Sequence, residues 1–396
     1  MKILNIASIL PVPGIFKDND VIFKLFKTLQ KRHHVDIDFV RPSAYANQLL
    51  ASIKPKWKAY YDIIKIKKYH YKGFDVEVYP FLDLKASPIV LAKLAHSIVW
   101  MNKAKLHKRF IENKYDILHA HWLLPDGLMA YRLYQKYGVP YVLTMRKEYH
   151  FLENQQTRIL AKKIIANASA VTTLNGRMYT LLKDKYSFNT SLYLIPHGVE
   201  DYFFQPPEFT ENVKDVKLIT ISRLLDWKNI DKLIRAIAKL PNKKRIDYTI
   251  IGEGPEKKAL QSLAKKLDME DSIHFKKTVS HEQLPEVLQE QDIFVLTSFP
   301  ETFGRVYFEA MASGVPILCA QNSGVHAYIE NNNAGMAANP FNVEDICEKL
   351  KKLVLNPNLR ETIGEKGQNL VKKYKWGKVA DAYHQLYLDA IKQAKS

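Results

Sequence analysis

Two cations in the second half of the chain lie directly after a predicted strand. Arg223 and Lys228 occupy the loop that follows the predicted strand Lys217–Ser222 and precedes a predicted helix. A guanidinium group binds phosphate oxygens through two parallel hydrogen bonds and an ammonium group acts as a point charge, so together they suit a diphosphate. Cations held beside a departing diphosphate lower the barrier to its release. Two basic residues in a loop are common, and an ordinary solvated loop is the alternative.

A second set of polar residues follows the predicted strand Ile293–Thr297. A loop carries Glu301 and Gly304, and the next predicted helix carries Glu309. Gly304 lets the backbone approach a ligand closely, and the amides that begin the helix near Arg305 suit phosphate oxygens. Both carboxylates can accept hydrogen bonds, Glu301 from sugar hydroxyls and Glu309 from a ribose diol. A surface glutamate is the alternative for Glu309, and its apolar neighbours in sequence disfavour it.

Two histidines end a predicted strand in the first half of the chain. His119 and His121 flank one alanine within Asp116–Trp122, so both side chains project to the same face of the sheet. This placement favours a role in a site. A metal pair or two core residues are the alternatives, and no third metal ligand lies nearby in sequence.

The elements that must position these residues alternate between short apolar runs and segments of helical period. This pattern is typical of βαβ units, and 396 residues exceed the usual size of one hydrophobic core. We therefore predict an α/β protein of two Rossmann-like, doubly wound parallel-sheet domains, with ligands outside the carboxyl ends of the strands. The predicted strands are Ile3–Ile9, Val35–Val40, Val76–Pro80, Ile117–Ala120, Tyr141–Thr144, Ala170–Thr173, Tyr193–Pro196, Lys217–Ser222, Tyr248–Gly252, Ile273–Phe275, Ile293–Thr297 and Pro316–Cys319.

The predicted domains divide the chain near its middle. Residues 1–200 form the predicted N-terminal domain and residues 201–375 the predicted C-terminal domain. Pro206 and Pro207 interrupt regular structure where a linker would lie. Residues 376–396 are predicted to form a helix that returns to the N-terminal domain.

The two glutamates of the second half form an E-x7-E motif. With Ser222-Arg-Leu224 and Ile251-Gly-Glu-Gly-Pro255, the segment around Glu301 and Glu309 resembles the retaining enzymes of glycosyltransferase family 4. The resemblance covers residues 217–355 closely and the first half of the chain loosely. It implies the GT-B fold, in which two Rossmann-like domains face each other across a cleft that binds the donor. In that fold residues 1–200 would form the acceptor-binding domain and residues 201–375 the nucleotide-sugar-binding domain.

The resemblance also implies roles for individual residues. The donor diphosphate would bind Arg223 and Lys228, the sugar hydroxyls Glu301 and the nucleoside ribose Glu309. Enzymes of this family generally need no metal because the two cations replace it, so we expect neither a metal nor another cofactor beside the nucleoside-diphosphate sugar. The remaining residues of the predicted donor site are Gly14, Thr302, Phe303, Gly304 and Arg305.

The first half resembles the family in short pieces. His121 matches the family's H-x-H segment beside the donor sugar and the acceptor, and Gly14 matches its glycine-rich loop near the phosphates. Thr144-Met-Arg-Lys-Glu-Tyr149 departs from the usual Thr-x-His-Gly, which indicates an unusual acceptor. Pro196-His-Gly-Val-Glu200 departs from Pro-Asn-Gly-Val-Asp, which affects a turn only.

These features together predict a retaining hexosyltransferase. We expect front-face substitution, in which the departing diphosphate oxygen deprotonates the acceptor hydroxyl and no protein nucleophile takes part. Arg223 and Lys228 would stabilise the leaving group and His121 would orient the sugar. We favour UDP over GDP as the nucleotide and a glycan or lipid-linked acceptor. A sugar-nucleotide epimerase or hydrolase of the same fold is the closer alternative, and a basic nucleic-acid-binding protein is the other.

The net charge of +18 is divided unevenly along the chain. Residues 1–200 carry 31 Lys and Arg against 15 Asp and Glu, a net charge of +16, whereas residues 201–396 carry +2. This asymmetry favours an anionic partner for the first half, with general solubility as the alternative. Because no helix-turn-helix, zinc or RNP-type signature accompanies the charge, we expect no nucleic acid.

Two basic stretches of the first half favour an anionic membrane surface. Ile53–Lys72 carries seven lysines among tryptophan, tyrosine and isoleucine residues. A second stretch places an apolar stripe at helical spacing before further cations: Leu91, Leu94, Ala95, Ile98, Val99, Lys103, Lys105, Lys108 and Arg109. Such segments can lie on anionic lipid, so we predict peripheral attachment to the inner face of the cytoplasmic membrane. Apolar residues that face the domain core are an equal alternative for the second stretch.

The remaining sequence features predict a cytoplasmic protein. The apolar start MKILNIASIL reads as a buried strand that stops at Pro11, and no stretch approaches the roughly 18 apolar residues that span a bilayer. Cys319 and Cys347 lack the spacing of metal ligands. Asp18-Asn-Asp20 and Asp36-Ile-Asp38 match the short D-x-D motif of metal-dependent transferases, which is frequent by chance, and we discount both.

Overall fold

The computed structural model describes residues 1–16, 20–53, 55–83, 88–205, 215–241 and 243–395. The chain forms two compact units. The first unit comprises Met1–Leu174, Met178–Ile195 and Gly377–Ser396, and the second comprises Asn175–Arg177 and Pro196–Trp376. The predicted linker at Pro206 and Pro207 lies outside the described residues, as do Asp18 and Asn19 of the first D-x-D match and Lys54.

The first unit is built on an eight-stranded sheet. Its strands are β1 (Lys2–Ile6), β2 (Asp36–Ala44), β3 (Lys68–Tyr71), β4 (Phe74–Phe81), β5 (Ile117–Ala120), β6 (Tyr141–Met145), β7 (Ala170–Thr173) and β8 (Ser191–Leu194). Their order in the sheet is β3-β4-β2-β1-β5-β6-β7-β8, and only the edge pair β3 and β4 is antiparallel among the described strands. The chain therefore winds outward in both directions from the neighbours β1 and β5, which is the doubly wound topology.

Helices cover this sheet and close its core. They are α1 (Val21–His33), α2 (Gln48–Ile53), α3 (Pro55–Ile66), α4 (Pro88–Leu94), α5 (Ser97–Met101), α6 (Lys103–Glu112), α7 (Leu128–Tyr137), α8 (Tyr149–Glu153), α9 (Gln155–Ala166) and α10 (Gly176–Thr180), whose first two residues belong to the second unit. The strands β1, β5 and β6 have fully buried interiors, as expected of parallel strands covered on both faces. Short turns cover Leu123–Gly127 and Leu181–Lys185.

The second unit is built on a six-stranded parallel sheet. Its strands are β9 (Val216–Ile221), β10 (Ile246–Ile251), β11 (Ile273–Lys276), β12 (Ile293–Leu296), β13 (Ile317–Ala320) and β14 (Met336–Ala338). The order β11-β10-β9-β12-β13-β14 again winds outward from two central neighbours, β9 and β12. The predicted fold class, two Rossmann-like parallel-sheet domains, is thereby confirmed.

Seven helices follow these strands in the described part of the second unit. They are α11 (Ile230–Ala238), α12 (Lys257–Lys266), α13 (Leu284–Gln289), α14 (Arg305–Ala312), α15 (His326–Ile329), α16 (Val343–Leu355) and α17 (Pro357–Val371). Asn342 and Asn356 cap the N-termini of helices α16 and α17. The Asn342 side-chain oxygen accepts two backbone N–H groups of the first turn, and that of Asn356 accepts one. Single helical turns cover Asp201–Phe203, Asp226–Lys228, Lys243–Arg245, His281–Gln283, Glu330–Asn332 and Lys372–Tyr374.

The last helix, α18 (Trp376–Lys395), belongs from Gly377 onward to the first unit. Arg32 on α1 donates two hydrogen bonds to the Asp381 carboxylate, at 2.9 and 2.8 Å. The two Asp381 oxygens and the planar guanidinium group match in geometry, which fixes the helix in register. Tyr387, one turn and a half further along, is fully buried.

The structure differs from the sequence predictions at three strands. β1 ends at Ile6 instead of Ile9, because the chain turns toward the loop that contains Pro11. The edge strand β3 lay within a stretch that we predicted as basic and membrane-facing, and its half-exposed pattern lacks an apolar run. β14 has three residues, too few to show a period.

The apolar stripe predicted for the membrane faces the core instead. Ala95 and Ile98 are fully buried, and Leu91 and Val99 pack against the same core of the first unit. The second stretch therefore follows the alternative interpretation, in which its apolar residues face the domain core. Its exposed apolar residues are Trp100, 76% exposed, and Ile111, 67% exposed. Within the described residues, no helix combines the length and apolar character needed to span a bilayer.

Candidate active site

The two central strands of the second unit bring Lys228 and Glu301 together. Lys228 ends the loop after β9, and Glu301 lies in the loop after β12, the neighbouring strand. The Lys228 Nζ atom donates to Glu301 Oε2 at 2.6 Å. Asn229 Nδ2 donates to the Thr297 carbonyl oxygen at 2.8 Å, which ties the two loops to each other. The sheet topology thus places one cation and one carboxylate at the carboxyl end of the sheet, where doubly wound domains bind ligands.

Two further donors hold the Glu301 carboxylate. Ser298 Oγ donates to Oε2 at 3.0 Å, and the Thr302 backbone N–H donates to Oε1 at 3.1 Å. The side chains of Lys228 and Glu301 are 15% and 17% exposed, so solvent screens their attraction only partly. An ammonium group has three N–H donors, so Lys228 can keep its bond to Glu301 while it donates to a phosphate oxygen.

Arg223 stands apart from this pair. Its side chain is exposed and forms no hydrogen bond or ion pair with any residue that the structure describes. The loop that carries it is fixed by the backbone, since Leu224 N–H donates to the Glu253 carbonyl oxygen at 3.0 Å. Sequence reasoning placed Arg223 beside Lys228; in the structure the two residues share the loop, and of the two Lys228 contacts Glu301.

The two glycines of Ile251–Pro255 lie where this loop approaches the loop that carries Arg223 too closely for a side chain. A Cβ atom at Gly252 would lie 1.8 Å from the Ser222 carbonyl oxygen, and one at Gly254 would lie 2.1 Å from the Leu224 carbonyl oxygen. Gly252 also has a φ of +150°. Both positions must be glycine for the loop after β10 to lie against the loop that carries Arg223.

Gly304, which directly precedes helix α14, also lies where a side chain would not fit. Gly304 has a φ of +75°, and a Cβ atom there would lie 2.5 Å from the Tyr307 ring. The Glu301 carbonyl oxygen accepts the Gly324 N–H at 3.0 Å, which holds the loop against the turn after β13. The first N–H groups of a helix such as α14 lack acceptors in a preceding helical turn, which suits them to bind an anion.

The predicted donor residue Phe303 has a buried side chain. Its side chain is 4% exposed, and its ring packs against that of Phe308 with centroids 4.5 Å apart. The E-x7-E spacing predicts a loop at this point but not which of its residues turn inward. The place of Phe303 in the donor site therefore stays a prediction, in which its buried ring shapes the loop from within the core.

Glu309 lies in a cluster that sequence reasoning did not foresee. Its Oε1 atom lies 2.9 Å from His281 Nε2 and 3.3 Å from Arg305 Nη2. On the other side of the imidazole, Tyr202 Oη lies 2.7 Å from His281 Nδ1. Glu309 is 6% exposed, so it is not the surface glutamate that stood as the alternative. The one sequence signal for His281 was the capping box that Ser280 and Gln283 form around it.

In the first unit, His121 follows β5 and faces β1, at the topological switch point. Its Nε2 atom accepts from Asn5 Nδ2 at 2.8 Å, and its side chain is buried. The ring stacks on that of His119, with centroids 4.0 Å apart. The predicted orientation of both histidines to one face is confirmed.

His119 is a core residue that helix α18 helps to hold. Its Nδ1 atom lies 2.7 Å from Tyr387 Oη and its Nε2 atom 2.8 Å from Thr144 Oγ1. Burial, with a smaller effect of Arg146, lowers the pKa of His119 to about 3, so the ring is neutral. Within the described chain, no group of three or more His, Cys, Asp or Glu side chains is arranged to hold a metal ion.

Gly14 lies in an exposed turn between Val12 and Phe16, beside the undescribed residues 17–19. Its φ of +73° favours glycine, although a Cβ atom there would meet no atom within 4 Å. The turn follows β1, the strand that neighbours β5, so Gly14 and His121 belong to the same edge of the first sheet.

Arg146 and Glu148 form a buried charged cluster next to His121. Glu148 accepts backbone N–H groups of Arg146 at 2.6 Å, Lys147 at 2.7 Å and Leu123 at 3.1 Å. Burial raises the pKa of the Glu148 carboxyl despite these bonds. Arg146 Nε donates to the His121 carbonyl oxygen at 3.4 Å. The departure from Thr-x-His-Gly thus introduces a buried cation next to the predicted catalytic histidine.

Asp126 completes the buried charges of this region. Both of its oxygens accept the Ser8 backbone N–H, at 3.0 and 3.1 Å. Burial raises the pKa of Asp126 to about 7, so this carboxyl group titrates near neutrality. The only sequence signal for Asp126 was its position shortly after the H-x-H segment.

Comparisons with known protein families cover most of the chain. The family described as "Glycosyl transferases group 1" matches residues 201–370. The family described as "Glycosyltransferase Family 4" matches residues 71–202. The first match contains Arg223, Lys228, Glu301 and Glu309, and the second contains His121.

Individual proteins resemble the chain over most of its length. The D-inositol 3-phosphate glycosyltransferase of Corynebacterium jeikeium is 26% identical, over 69% of this chain and 72% of the relative. The alpha-monoglucosyldiacylglycerol synthase of Streptococcus pneumoniae is 25% identical, over 70% of this chain and 67% of the relative. Among solved structures, the sucrose-phosphate synthase of Thermosynechococcus elongatus shares the fold, with a TM-score of 0.72, 18% identity, and coverage of 99% of this chain and 100% of that one.

Proposed function

Because this chain is a glycosyltransferase of the GT-B fold and belongs to glycosyltransferase family 4, we propose that it transfers a hexosyl unit from a nucleoside-diphosphate sugar to an acceptor hydroxyl. The pair of Lys228 and Glu301 carries this proposal. Their 2.6 Å contact holds a phosphate-binding cation and a hydroxyl-binding carboxylate in one place, which matches a sugar diphosphate. The acceptor in this proposal is a glycan or a lipid-linked glycan.

The donor is held by residues of the second unit in this proposal. Lys228, Arg223 and the first N–H groups of helix α14 bind the diphosphate, and Glu301 accepts from the sugar hydroxyls. Glu309 accepts from the ribose. We place UDP before GDP as the nucleotide.

The proposed reaction retains the configuration at the anomeric carbon. The bond from that carbon to the phosphate oxygen breaks, and the bond to the acceptor oxygen forms on the same face. The acceptor proton passes to the departing phosphate oxygen, so the protein supplies no nucleophile. His121, whose Nε2 atom already accepts from Asn5, orients the sugar through Nδ1. The cations stabilise the negative charge that develops on the leaving group.

The acceptor in this proposal is anionic or membrane-borne. Arg146, buried next to His121, supplies a fixed cation on the acceptor side, and residues 1–200 carry a net charge of +16. One of the relatives is a D-inositol 3-phosphate glycosyltransferase and the other an alpha-monoglucosyldiacylglycerol synthase. Both kinds of acceptor combine a hydroxyl group with an anionic group or a lipid.

Peripheral contact with the inner face of the cytoplasmic membrane belongs to the same proposal. Trp100 and Ile111 are exposed beside Lys103 and Lys108 on helices α5 and α6. An exposed indole among lysines suits the interface of an anionic bilayer.

In a flotation assay with anionic liposomes at low salt, we expect the protein to float and Trp100→Ser to float less. Leu355→Ser, an equally polar change at an exposed leucine of the second unit, is the control. Failure of the wild-type protein to float would contradict the membrane contact.

Product analysis tests the proposed reaction itself. Thermal-shift measurements with UDP- and GDP-sugars first identify the donor by the rise in melting temperature. The purified protein is then incubated with that donor, with and without glycan or lipid acceptors, and the released nucleotide and the new glycosidic linkage are measured. We expect acceptor-dependent release and the donor's anomeric configuration in the product. Free or epimerised sugar formed without an acceptor would instead favour the epimerase or hydrolase.

A further inference from the structure

We propose that His281 is a positioning residue for the donor site. It holds the Glu309 carboxylate in place for the donor ribose, and Tyr202 determines which ring nitrogen of His281 carries the proton. This inference rests on the proposed function, because it assumes that Glu309 accepts from the ribose. It adds two residues outside the E-x7-E motif, and each comes from a different turn of the second unit.

Two contacts of His281 Nε2 decide where its proton lies: Glu309 Oε1 is 2.9 Å away and Arg305 Nη2 is 3.2 Å away. A carboxylate oxygen can only accept, so the shorter contact places the proton on Nε2, and Arg305 then donates to Glu309 and not to the imidazole. In a neutral imidazole Nδ1 is then the acceptor, and Tyr202 Oη donates to it at 2.7 Å. Burial raises the pKa of Tyr202 to about 12, with smaller effects of Glu200, Glu282 and Glu309, so the hydroxyl keeps its proton at neutral pH.

The two oxygens of the Glu309 carboxylate differ in their contacts. His281 and Arg305 both donate to Oε1, at 2.9 and 3.3 Å. Among the described residues, no donor contacts Oε2. A ribose hydroxyl can therefore bond to Oε2 without displacing a protein donor.

Arg305 alone would not keep this arrangement. It lies one turn before Glu309 on helix α14, and a guanidinium group prefers to bind both oxygens of a carboxylate. His281 occupies Oε1 from outside the helix, with its ring held edge-on to Phe203 at 5.2 Å between centroids. The imidazole thereby prevents Glu309 from closing on Arg305 and keeps Oε2 available.

Three variants separate a hydrogen-bond role of His281 from simple packing. His281→Gln places an amide N–H near the position of Nε2 and keeps a donor for Glu309, whereas His281→Ala removes it. Tyr202→Phe keeps the ring and removes the donor to Nδ1. We expect His281→Ala to raise the Kd of the nucleoside diphosphate about tenfold or more, as for a lost buried hydrogen bond to a charged group. We expect His281→Gln to stay within about threefold of the wild type, with Tyr202→Phe in between.

The experiment is calorimetric titration of the full chain with UDP and GDP, together with steady-state kinetics and melting temperatures. Glu309→Gln is the reference, and the double variant His281→Ala with Glu309→Gln shows whether the two act as one unit. We expect KM for the donor to rise in His281→Ala while kcat changes little, and the double variant to bind no more weakly than Glu309→Gln.

Each contrary outcome has a different meaning. If Glu309→Gln binds nucleotide like the wild type, the ribose role in the proposed function is wrong, and the inference falls with it. If Glu309→Gln binds weakly but His281→Ala binds normally, only the inference is overturned. It is also overturned if His281→Gln, at an unchanged melting temperature, binds as weakly as His281→Ala, since His281 then acts by shape.

Discussion

The ammonium group of Lys228 lies 2.6 Å from a carboxylate oxygen of Glu301, although 73 positions separate the two residues in sequence. They meet because β9 and β12 are neighbours at the centre of the second sheet and each residue lies in the loop after its strand. The pair neutralises both charges in a region from which water is largely excluded. A ligand that carries phosphate and hydroxyl groups can satisfy both partners at once, since the phosphate accepts from Lys228 and a hydroxyl donates to Glu301.

Substitution of either cation should abolish most of the turnover. We expect Lys228→Ala and Arg223→Ala to lower kcat by a factor on the order of 10² or more, because each removes a cation from the departing diphosphate. Initial rates of nucleotide release with donor and acceptor measure the effect. Lys239→Ala, which removes a lysine paired with Glu344 on the surface, is the control and should keep the wild-type rate. Near-normal turnover of either site variant would overturn the assignment of that cation.

The glycines of the loop after β10 should be essential for stability. Gly252→Ala would place a Cβ atom 1.8 Å from the Ser222 carbonyl oxygen at a φ of +150°. We expect a loss of about 3 kcal/mol or more in the free energy of unfolding, because backbone on both sides must shift. Chemical denaturation measures this loss.

Gly138→Ala is the matched control for that experiment. Gly138 also has a positive φ, of +71°, but a Cβ atom there would meet no atom within 4 Å. Its substitution should cost about 1 kcal/mol from backbone strain alone. Equal losses in the two variants would show that strain, and not the contact with the Arg223 loop, requires Gly252.

The sequence was sufficient for the fold class because its main signals are local. Buried parallel strands such as β5 and β12 are continuous apolar runs, and they stand out without knowledge of their partners. The order of these runs and their helices then limits the topology to a doubly wound sheet. The edge strand β3 has no such run, because only one side of it meets the core, and it could not be predicted in this way.

The sequence predicted less of the candidate site because its contacts are not local. Lys228 and Glu301 were each predicted from the loops that carry them, but their direct bond depends on the order of strands. His281 meets Glu309 from another turn, 28 positions away; the capping box around His281 indicates the start of a helix but not this contact. The direction of Phe303 depends on the turn at Gly304, whose conformation only the structure shows.

The buried His119 should make stability depend on pH in the acid range. Its pKa is about 3 in the folded protein, below the ordinary value of 6.5. As the pH falls below 6.5, the unfolded chain binds a proton at this position and the folded protein does not, so stability falls until about pH 3. Between pH 6.5 and 5 the loss from this group is about 2 kcal/mol.

Comparison with His119→Gln isolates this effect. Asp126 acts in the opposite direction, since its pKa of about 7 lies above 3.8 and stability rises as the pH falls from 7 toward 4. The wild type and His119→Gln share Asp126, so the difference between their unfolding free energies reports His119. We expect the wild type to lose stability relative to His119→Gln as the pH falls from 7 to 5, by chemical denaturation at each pH. A constant difference across that range would show that the pKa of His119 is the same in the folded and unfolded protein, which would contradict the lowered pKa.

Turnover should persist when divalent metal ions are removed. In the proposed mechanism Lys228 and Arg223 supply the positive charge that a metal ion supplies in metal-dependent transferases, and Lys228 is already held in place by Glu301. We therefore expect millimolar EDTA to leave the rate of acceptor-dependent nucleotide release unchanged. Lys228→Ala should stay inactive when magnesium or manganese is added, because the lost cation is part of the protein. Loss of activity in EDTA that either ion restores would show that a metal ion takes part, and the two cations would then bind the donor without replacing the metal.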